Sequence, residues 1–407
     1  MRTILHCDLN NFFASVEIHD NPELSKYPIA VCGKVEDRCG IVLAKNMLAK
    51  SFGVTTAEPI WQAKRKCPSL VTVSPHYDRY MHFSRLAREI FCEYSYAVES
   101  FGIDEAWLDV THCGRLFGSG TEIANKIRND IKNNLGLTIS VGVSFNKVFA
   151  KLGSDMKKPD AVTEISERNF RRKIFDLPVS DMLWVGRSTT LALNRFAIHT
   201  IGDLAKSSPE FLTKIFGING EMLWKNANGL DDSHVHNAEW VPEIKSIGNS
   251  TTAIRDLETS SDINGVFLAL SGSVSSRLRK YCLKAGGVQI YVRDKNLISH
   301  EYQCPLDMPS RSQRVIYETA VKLFTKSFVK SGIRSLGVRA IKIVPDDCET
   351  QLSMLYDYNF MKKMESLETA SDKINGRYGV GTVRPASLLK LDCIKEQLMG
   401  SSFSQNA

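Results

Sequence analysis

Residues 100–111, SFGIDEAWLDVT, place two carboxylates, Asp104 and Glu105, side by side in a run that otherwise has the composition of a buried strand. The apolar residues of this run are of the kind that a sheet covers with helices, and they are Ile103, Ala106, Trp107, Leu108 and Val110. Burying an unpaired carboxylate is costly, so the group must either protonate or find a positive partner. The stretch therefore predicts a bound cation or a buried ion pair.

A second stretch of similar character, ILHCDL at residues 4–9, carries Asp8 near its end. If the two strands pair in the middle of one sheet, Asp8, Asp104 and Glu105 converge on one spot. Three carboxylates at strand ends suit hard divalent cations, and they can hold two Mg²⁺ ions about 3.5–4 Å apart for phosphoryl transfer. From these residues alone, a structural pair bridged by basic side chains remains the alternative.

Length and composition indicate a multidomain globular protein. The chain has 407 residues, of which 43% are hydrophobic and 24% are charged, which is enough for two to four ordinary domains. The N-terminus lacks a signal-peptide pattern, and no stretch reaches the roughly 18 apolar residues of a membrane span. Ten cysteines without a CxxC pair indicate free thiols. We therefore predict a cytoplasmic protein that does not associate with membranes.

The positive charge is concentrated in one region of the chain. Residues 245–345 contain 16 Lys and Arg against 7 Asp and Glu, a local charge of +9. The net charge of the whole chain is +7, so the remainder carries −2. Such a concentration predicts a module that faces a polyanion, usually DNA or RNA.

The hydrophobic pattern predicts an α+β multidomain fold. Residues 1–165 read as strands and helices that form a sheet with helices on one face, interrupted by an insertion over about residues 20–76. Within the sheet region, Ile123, Ile127 and Ile131 fall on one face of a helix that Gly136 ends. Residues 170–232 read as short helices, and 245–345 as a second α+β unit. A polar segment with one helix near 357–376 follows.

Four motifs together resemble the Y-family translesion DNA polymerases of the DNA polymerase IV and impB/mucB/samB type. They are HCDLNNFFASVE (6–17), GIDEAWLDVT (102–111), SVGVSFNKVFAKLGSDMKKP (140–159) and KSIGNSTT (245–252). The resemblance covers roughly residues 1–345. It implies a right-hand polymerase that adds dNTPs to a primer 3′ end along a template with low fidelity, and so copies past damaged bases.

The resemblance also implies a set of domain boundaries. The palm would comprise 1–19 and 77–166, the fingers 20–76, the helical thumb 167–233 and a linker 234–244. The α+β little finger, which clasps the template–primer duplex in this family, would span 245–345, and a C-terminal tail would span 346–407.

In the active site, the resemblance makes Asp8, Asp104 and Glu105 the catalytic metal ligands, with the backbone carbonyl of Leu9 completing the shell. Two Mg²⁺ ions are the implied cofactors, with Mn²⁺ as a possible substitute. One ion would lower the pKa of the primer 3′-hydroxyl, and the other would neutralise the leaving pyrophosphate.

The nucleotide site is implied by four further residues. Phe13 matches the steric gate, an aromatic ring packed where a ribose 2′-hydroxyl would project, and Phe12 is its neighbour. Lys158 matches the lysine that reaches the incoming triphosphate. The fingers depart from the family pattern N-Y-x-A-R, because Met47 and Lys50 replace the tyrosine and the arginine. Lys50 keeps the charge but loses the bidentate fork, which puts nucleotide affinity in question.

The remaining implied contacts are with macromolecules. FGING at 216–220 fits a helix-hairpin-helix turn in which Gly217 and Gly220 let backbone N–H groups approach a DNA phosphate. Lys245 and Ser246 open the little finger and are predicted to contact DNA. The segment Gln351-Leu352-Ser353-Met354-Leu355 resembles the peptide by which bacterial polymerases dock on the sliding clamp, through Gln351, Leu352, Met354 and Leu355.

Two rival functions remain at this stage. A two-metal nuclease or nucleotidyl cyclase could use the same three carboxylates, although the gate, the lysine and the basic module speak against it. A catalytically weak or silent family member that only binds primer–template DNA is kept open by the altered fingers. We expect a monomer that works in the cytoplasm near the nucleoid.

Overall fold

The computed structural model describes residues 2–36, 38, 40–327, 332–348, 358–389 and 391–394. The chain divides into two compact units, one made of residues up to 33 together with 41–241, and the other of residues 34–40 together with 242 onward. Among the described residues, we find no helix with both the length and the apolar character needed to cross a membrane.

The first unit contains eight of the described strands and twelve of the described helices. The strands are β1 (Ile4–Leu9), β2 (Ile29–Cys32), β3 (Val42–Lys45), β4 (Val71–Val73), β5 (Val98–Ser100), β6 (Glu105–Asp109), β7 (Ile139–Ser144) and β8 (Val162–Ile165). The helices are α1 (Phe12–Asp20), α2 (Met47–Ser51), α3 (Ile60–Lys66), α4 (Tyr77–Tyr94), α5 (Gly114–Phe117), α6 (Gly120–Leu135), α7 (Lys147–Met156), α8 (Phe170–Ile174), α9 (Arg187–Asn194), α10 (Ile201–Lys206), α11 (Pro209–Phe216) and α12 (Ile218–Ala227).

The main sheet of this unit has five strands in the order β5-β6-β1-β7-β8. Every residue of β1 and β7 is buried, as expected for central strands covered on both faces. Helices α1, α4 and α6 pack with Leu5, Cys7 and Leu9 on one face. Helix α7 packs on the opposite face, where the His6 ring bonds to Ser154. The prediction of helices on one face only was therefore wrong.

Helix α6 shows how closely local sequence sets an element. Its N-terminus has a capping box in which Ser119 accepts from the Glu122 amide while the Glu122 carboxylate accepts from the Ser119 amide. Its end is Gly136, which has φ 65°. The predicted apolar face is confirmed, because Ile123, Ile127 and Ile131 are buried.

The predicted insertion forms its own small sheet, with strand order β3-β2-β4 and helices α2 and α3 beside it. Strand β3 leads directly into α2, and the Asn46 side chain caps that helix by accepting from the Ala49 amide. Gly53, with φ 79°, follows the end of α2. The insertion thus passes from a strand straight into a helix that carries Lys50.

Short helices occupy 170–227, as the sequence predicts, and their closest packing depends on a glycine. A Cβ added at Gly220 would lie less than 3.0 Å from the Leu212 carbonyl, so only glycine lets α12 lie this close to α11. The Gly220 amide already donates to the Gly217 carbonyl. Gly220 is thus a packing residue, which differs from the predicted phosphate contact.

The second unit is a four-stranded antiparallel sheet with helices packed on one face. Its elements are β9 (Ile247–Leu257), α13 (Ser260–Lys280), β10 (Leu283–Asp294), β11 (Ser299–Ser310), α14 (Gln313–Ser327), β12 (Ile333–Pro345) and α15 (Tyr358–Tyr378), with strand order β11-β10-β12-β9. The core lies between the sheet and α13 and α14.

The segment after residue 346 is not merely a polar tail. Helix α15 is held to this unit by a buried ion pair between Arg279 and Glu368, with 2.6 Å between Nη1 and Oε2. Further along, the side chains of Leu388, Cys393 and Ile394 enter the apolar core. The described C-terminal residues are therefore part of the second unit, which the polar composition of the segment concealed.

Candidate active site

The three predicted metal ligands meet at one edge of the five-stranded sheet. Strands β1 and β6 are antiparallel neighbours, and their register places Asp8 directly opposite Glu105. Paired positions of antiparallel strands point to the same face, so both carboxylates lie on the face covered by α7. Asp104 lies in the bend just before β6, where its carbonyl accepts from the Leu9 amide at 3.0 Å.

A tight turn brings Asp104 to this edge. Gly102 has φ 83°, which glycine adopts without strain, and the Phe101 amide donates to the Glu105 carbonyl at 2.8 Å. The strand itself starts at Glu105, one residue after Asp104. The adjacent acids of the sequence are thus divided between a turn and a strand, with Glu105 paired to Asp8 and the Asp104 backbone bonded to Leu9.

Two lysines from the α7 region balance the carboxylates. Lys158 Nζ lies 2.7 Å from Asp8 Oδ2 and 2.9 Å from Asp155 Oδ1. Lys151 Nζ lies 2.7 Å from Glu105 Oε2. Two amines at this edge therefore contact three acids, Asp8, Glu105 and Asp155, and Asp155 is shared between the amines.

The carboxylates differ in how readily they ionise. Burial raises the pKa of Asp8 to about 7 and, with the charge of Glu105, raises the pKa of Asp104 to about 6. Burial acts on Glu105 as well, but hydrogen bonds from His6 and Lys151 outweigh it and lower the pKa of Glu105 to about 2. Negative charge at Asp8 and Asp104 is thus only partly compensated by the protein.

The donor set fits a hard divalent cation. All the predicted side-chain ligands are carboxylate oxygens, which Mg²⁺ and Mn²⁺ prefer. A cation would supply the positive charge that balances Asp8 and Asp104. In the described conformation the oxygens of the three acids do not all lie within 4.8 Å of one another, and Glu105 and Asp8 are each paired with a lysine. Among the described residues, the ligand atoms of one other group, Asp262, Asp392 and Cys393, do lie within that distance of one another. Arg255 forms ion pairs with both aspartates of that group.

Next to the carboxylates, an aromatic group surrounds the predicted gate. Phe13 is half-buried at the start of α1, five residues after Asp8, and Phe12 beside it is buried. The Phe13 ring stacks on the Tyr80 ring with centroids 4.1 Å apart and planes inclined by 8°. The stack leaves Phe13 partly accessible, as a gate requires.

Comparison with known proteins agrees with this geometry. Residues 7–155 match the impB/mucB/samB family, and residues 244–354 match the C-terminal domain of the same family. The chain is 50% identical over 390 residues to DNA polymerase IV of Acetivibrio thermocellus, covering 96% of this chain and 98% of the relative. It is 35% identical to DNA polymerase IV 1 of Bacillus subtilis, covering 100% of this chain and 97% of the relative.

The chain belongs to the Y family of translesion DNA polymerases.

A solved Y-family DNA polymerase chimera has the same fold, with a TM-score of 0.73 and 23% identity, covering 84% of this chain and 99% of the chimera. The α+β right-hand architecture is thereby confirmed. Y-family DNA polymerases use divalent metal ions, in agreement with the donor set described above.

In this Y-family member the two residues that depart from the family pattern N-Y-x-A-R lie on the surface of the small three-stranded unit. Met47 and Lys50 are both exposed on α2. Lys45, at the end of β3, donates to the Thr56 hydroxyl at 3.0 Å, and burial together with the nearby charge of Lys50 lowers the pKa of Lys45. Lys45 and Lys50 are thus close enough for the charge of one to act on the pKa of the other.

The predicted DNA contacts lie on exposed turns and strand starts. Gly217, with φ 63°, joins α11 to α12, and the exposed residues after it are Ile218 and Asn219. Of the two glycines predicted to contact a DNA phosphate, Gly217 is exposed and Gly220 is buried. Lys245 and Ser246 are exposed immediately before β9. The predicted clamp residues Gln351, Leu352, Met354 and Leu355 lie outside the described residues.

Several residues of the site carried no role in the sequence analysis. His6 is fully buried, with Nδ1 2.8 Å from Ser154 Oγ and Nε2 3.4 Å from Glu105 Oε2. Period-two alternation along β1 would have found it, because His6 and Asp8 share a face. Lys151 belongs to the motif at 140–159, but the sequence did not indicate its pairing with Glu105. Tyr80 gave no local signal, since its partner Phe13 lies on another element.

Proposed function

We propose that this polymerase extends a primer 3′ end with dNTPs through two Mg²⁺ ions held by Asp8, Asp104 and Glu105, with the Leu9 carbonyl as a further ligand. The observation that carries the proposal is the register that sets Asp8 opposite Glu105, with Asp104 in the adjoining turn. When bound, the ions activate the primer hydroxyl and neutralise the pyrophosphate. Mn²⁺, which accepts the same oxygen ligands, is proposed as a substitute.

The protein's own groups divide the remaining tasks. Lys158 and Lys151 provide positive charge on the α7 side of the site, where Lys158 would contact the triphosphate. Lys50 of the fingers would be a second triphosphate contact, with Lys45 beside it. Primer extension with the four dNTPs and a divalent metal tests the whole proposal, and a chain that binds primer–template DNA without extending it would support the silent alternative.

The domain assignment follows the same proposal. The five-stranded sheet unit would be the palm, the three-stranded unit the fingers, the helices within 167–233 the thumb and the basic second unit the little finger. Lys245, Ser246 and the turn at Gly217 would contact the DNA backbone, which the +9 charge of residues 245–345 would attract. We further propose that the enzyme acts as a monomer in the cytoplasm, close to chromosomal DNA.

Sugar selection provides a sharp test of the gate. Replacing Phe13 by alanine should raise the ratio of kcat/KM for rNTPs to that for dNTPs at least about tenfold, because a ribose 2′-hydroxyl would no longer meet the ring. Steady-state insertion of matched rNTP and dNTP pairs measures the ratio. Phe91→Ala is the matched control, since Phe91 is buried in the same core and its loss should alter stability more than selectivity. An unchanged ratio in Phe13→Ala would place the gate elsewhere.

Docking on a sliding clamp is the second proposal about partners. The peptide at 351–355 lies outside the described residues, and in the sequence it falls after β12 and before α15. Replacing Gln351, Leu352 and Leu355 by alanine should abolish stimulation by a loaded clamp while distributive synthesis on short primers stays normal. Primer extension with and without clamp measures both. Stimulation that survives the triple change would place the docking site outside this peptide.

A further inference from the structure

Beneath the proposed gate, helix α1 presents two groups to one tyrosine of helix α4. Phe13 and Glu17 are four residues apart, so they lie on the same face of α1, one turn from each other. Tyr80 spans both of them. Its ring stacks on Phe13, and its hydroxyl donates to Glu17 Oε1.

Glu17 is unusual for a carboxylate in a core. Its side chain is 7% exposed, and it contacts one histidine, His76, whose Nδ1 lies 3.0 Å from both carboxylate oxygens. No lysine or arginine pairs with Glu17 among the ion pairs of the described residues. A buried acid of this kind is costly to keep. The metal site, the nucleotide contacts and the DNA contacts proposed above make no use of it.

We infer that Glu17 is a positioning residue for sugar selection, acting through Tyr80 on Phe13; this inference rests on the proposed gate. Tyr80 is fully buried, and the aromatic neighbours Phe12 and Tyr77 also contact it. Stacking alone fixes the distance between two rings but lets them slide. The hydrogen bond from the Tyr80 hydroxyl to Glu17 fixes the far end of the tyrosine side chain. The ring therefore cannot slide along Phe13 without breaking that hydrogen bond.

The consequence is that Phe13 packs against a tyrosine whose own position is fixed. A ribose 2′-hydroxyl that presses on the Phe13 face opposite Tyr80 would push the ring toward Tyr80, which is held at its ring by α1 and at its hydroxyl by Glu17. Without the hydrogen bond between Tyr80 and Glu17, the same pressure can move the Phe13 and Tyr80 rings together. Selectivity then falls, although the Phe13 side chain is unchanged.

The test compares sugar selectivity among variants that keep both rings. Tyr80→Phe and Glu17→Ala each remove the bond, and each should raise the ratio of rNTP to dNTP kcat/KM by about three- to tenfold. Glu17→Gln retains an oxygen that accepts from the phenol, so its ratio should stay near that of the unaltered protein. Because the ratio is measured within one preparation, a loss of folded enzyme cancels.

A matched control lies at the other end of the same helix. The Tyr94 hydroxyl donates to Asp130, so Tyr94→Phe removes the same kind of bond from α4 away from Phe13. This variant should leave the ratio unchanged even if it lowers thermal stability. Purely structural roles for Tyr80 and Glu17 predict that Tyr80→Phe behaves like Tyr94→Phe.

The outcomes separate this inference from the gate on which it rests. If Phe13→Ala raises the ratio while Tyr80→Phe and Glu17→Ala do not, the gate stands and the positioning role of Glu17 is wrong. If Glu17→Gln is as permissive as Glu17→Ala, the hydrogen bond is not the route and the inference is again overturned. If Phe13→Ala itself has no effect, the gate proposal fails first.

Discussion

Replacing Asp104 by alanine is expected to lower primer extension about a thousandfold or more, while affinity for primer–template DNA persists. The loss corresponds to about 4 kcal/mol of transition-state stabilisation, a reasonable cost for removing one ligand from a shared metal site. The same result is expected for Asp8→Ala and Glu105→Ala, because all three acids meet at one edge of the sheet. Single-turnover extension and a DNA-binding titration measure the two quantities separately.

The control for this prediction is Asp109→Ala. Asp109 ends the same strand, β6, and its carboxylate accepts from the Thr111 hydroxyl and amide rather than facing Asp8. Its removal should change extension by only a few fold. Near-normal extension by Asp104→Ala, or an equal loss in Asp109→Ala, would contradict the assignment of the carboxylates.

Replacing Gly142 by alanine is expected to destabilise the first unit by about 3 kcal/mol or more. An added Cβ would lie within 3.0 Å of the Ala150 carbonyl and the Ser154 amide, both in the backbone of α7, which cannot yield as a flexible side chain would. Gly153 of α7 faces Gly142 across the same contact. The two glycines let the helix lie directly on the sheet.

The melting temperature should fall by about 6–12 °C, as expected for a loss of this size in a unit of more than 150 residues. Extension should also fall, because a displaced α7 carries Lys151 away from Glu105. Differential scanning calorimetry measures the first effect. Gly114→Ala is the matched control, since nothing lies within 4 Å of its added Cβ. Equal melting temperatures for the two variants would show that α7 does not pack as described.

The sequence predicted those features that a local pattern encodes. The isoleucines of α6 and its terminal Gly136 define that helix through periodicity and capping alone. The strands that carry Asp8 and Glu105 were predicted from their apolar runs, and the motifs indicated the family. The concentration of basic residues marked the second unit. Each of these signals can be read from the order or the composition of residues along the chain, so no knowledge of the folded chain was needed.

Only the tertiary structure showed which distant groups meet. Asp8 and Lys158 are 150 residues apart in sequence and 2.7 Å apart at their charged atoms. The burial of β1 and β7 on both faces required a second covering layer, but the sequence did not say that α7 supplies it. The segment around Gly220 has the sequence of a DNA-binding turn. In the structure, however, Gly220 lies where two helices pack closely, which makes it a packing residue.

The physical reason is that secondary structure follows from short-range periodicity, whereas a site depends on how distant elements pack. The contact between Tyr80 and Glu17 joins two helices that are separated along the chain by all three strands of the small sheet. Nothing in the sequence around either residue predicts this contact. The sequence by itself determined the chemistry that the carboxylates can perform. The packing of α1, α4 and α7 on the sheet decided which side chains surround them.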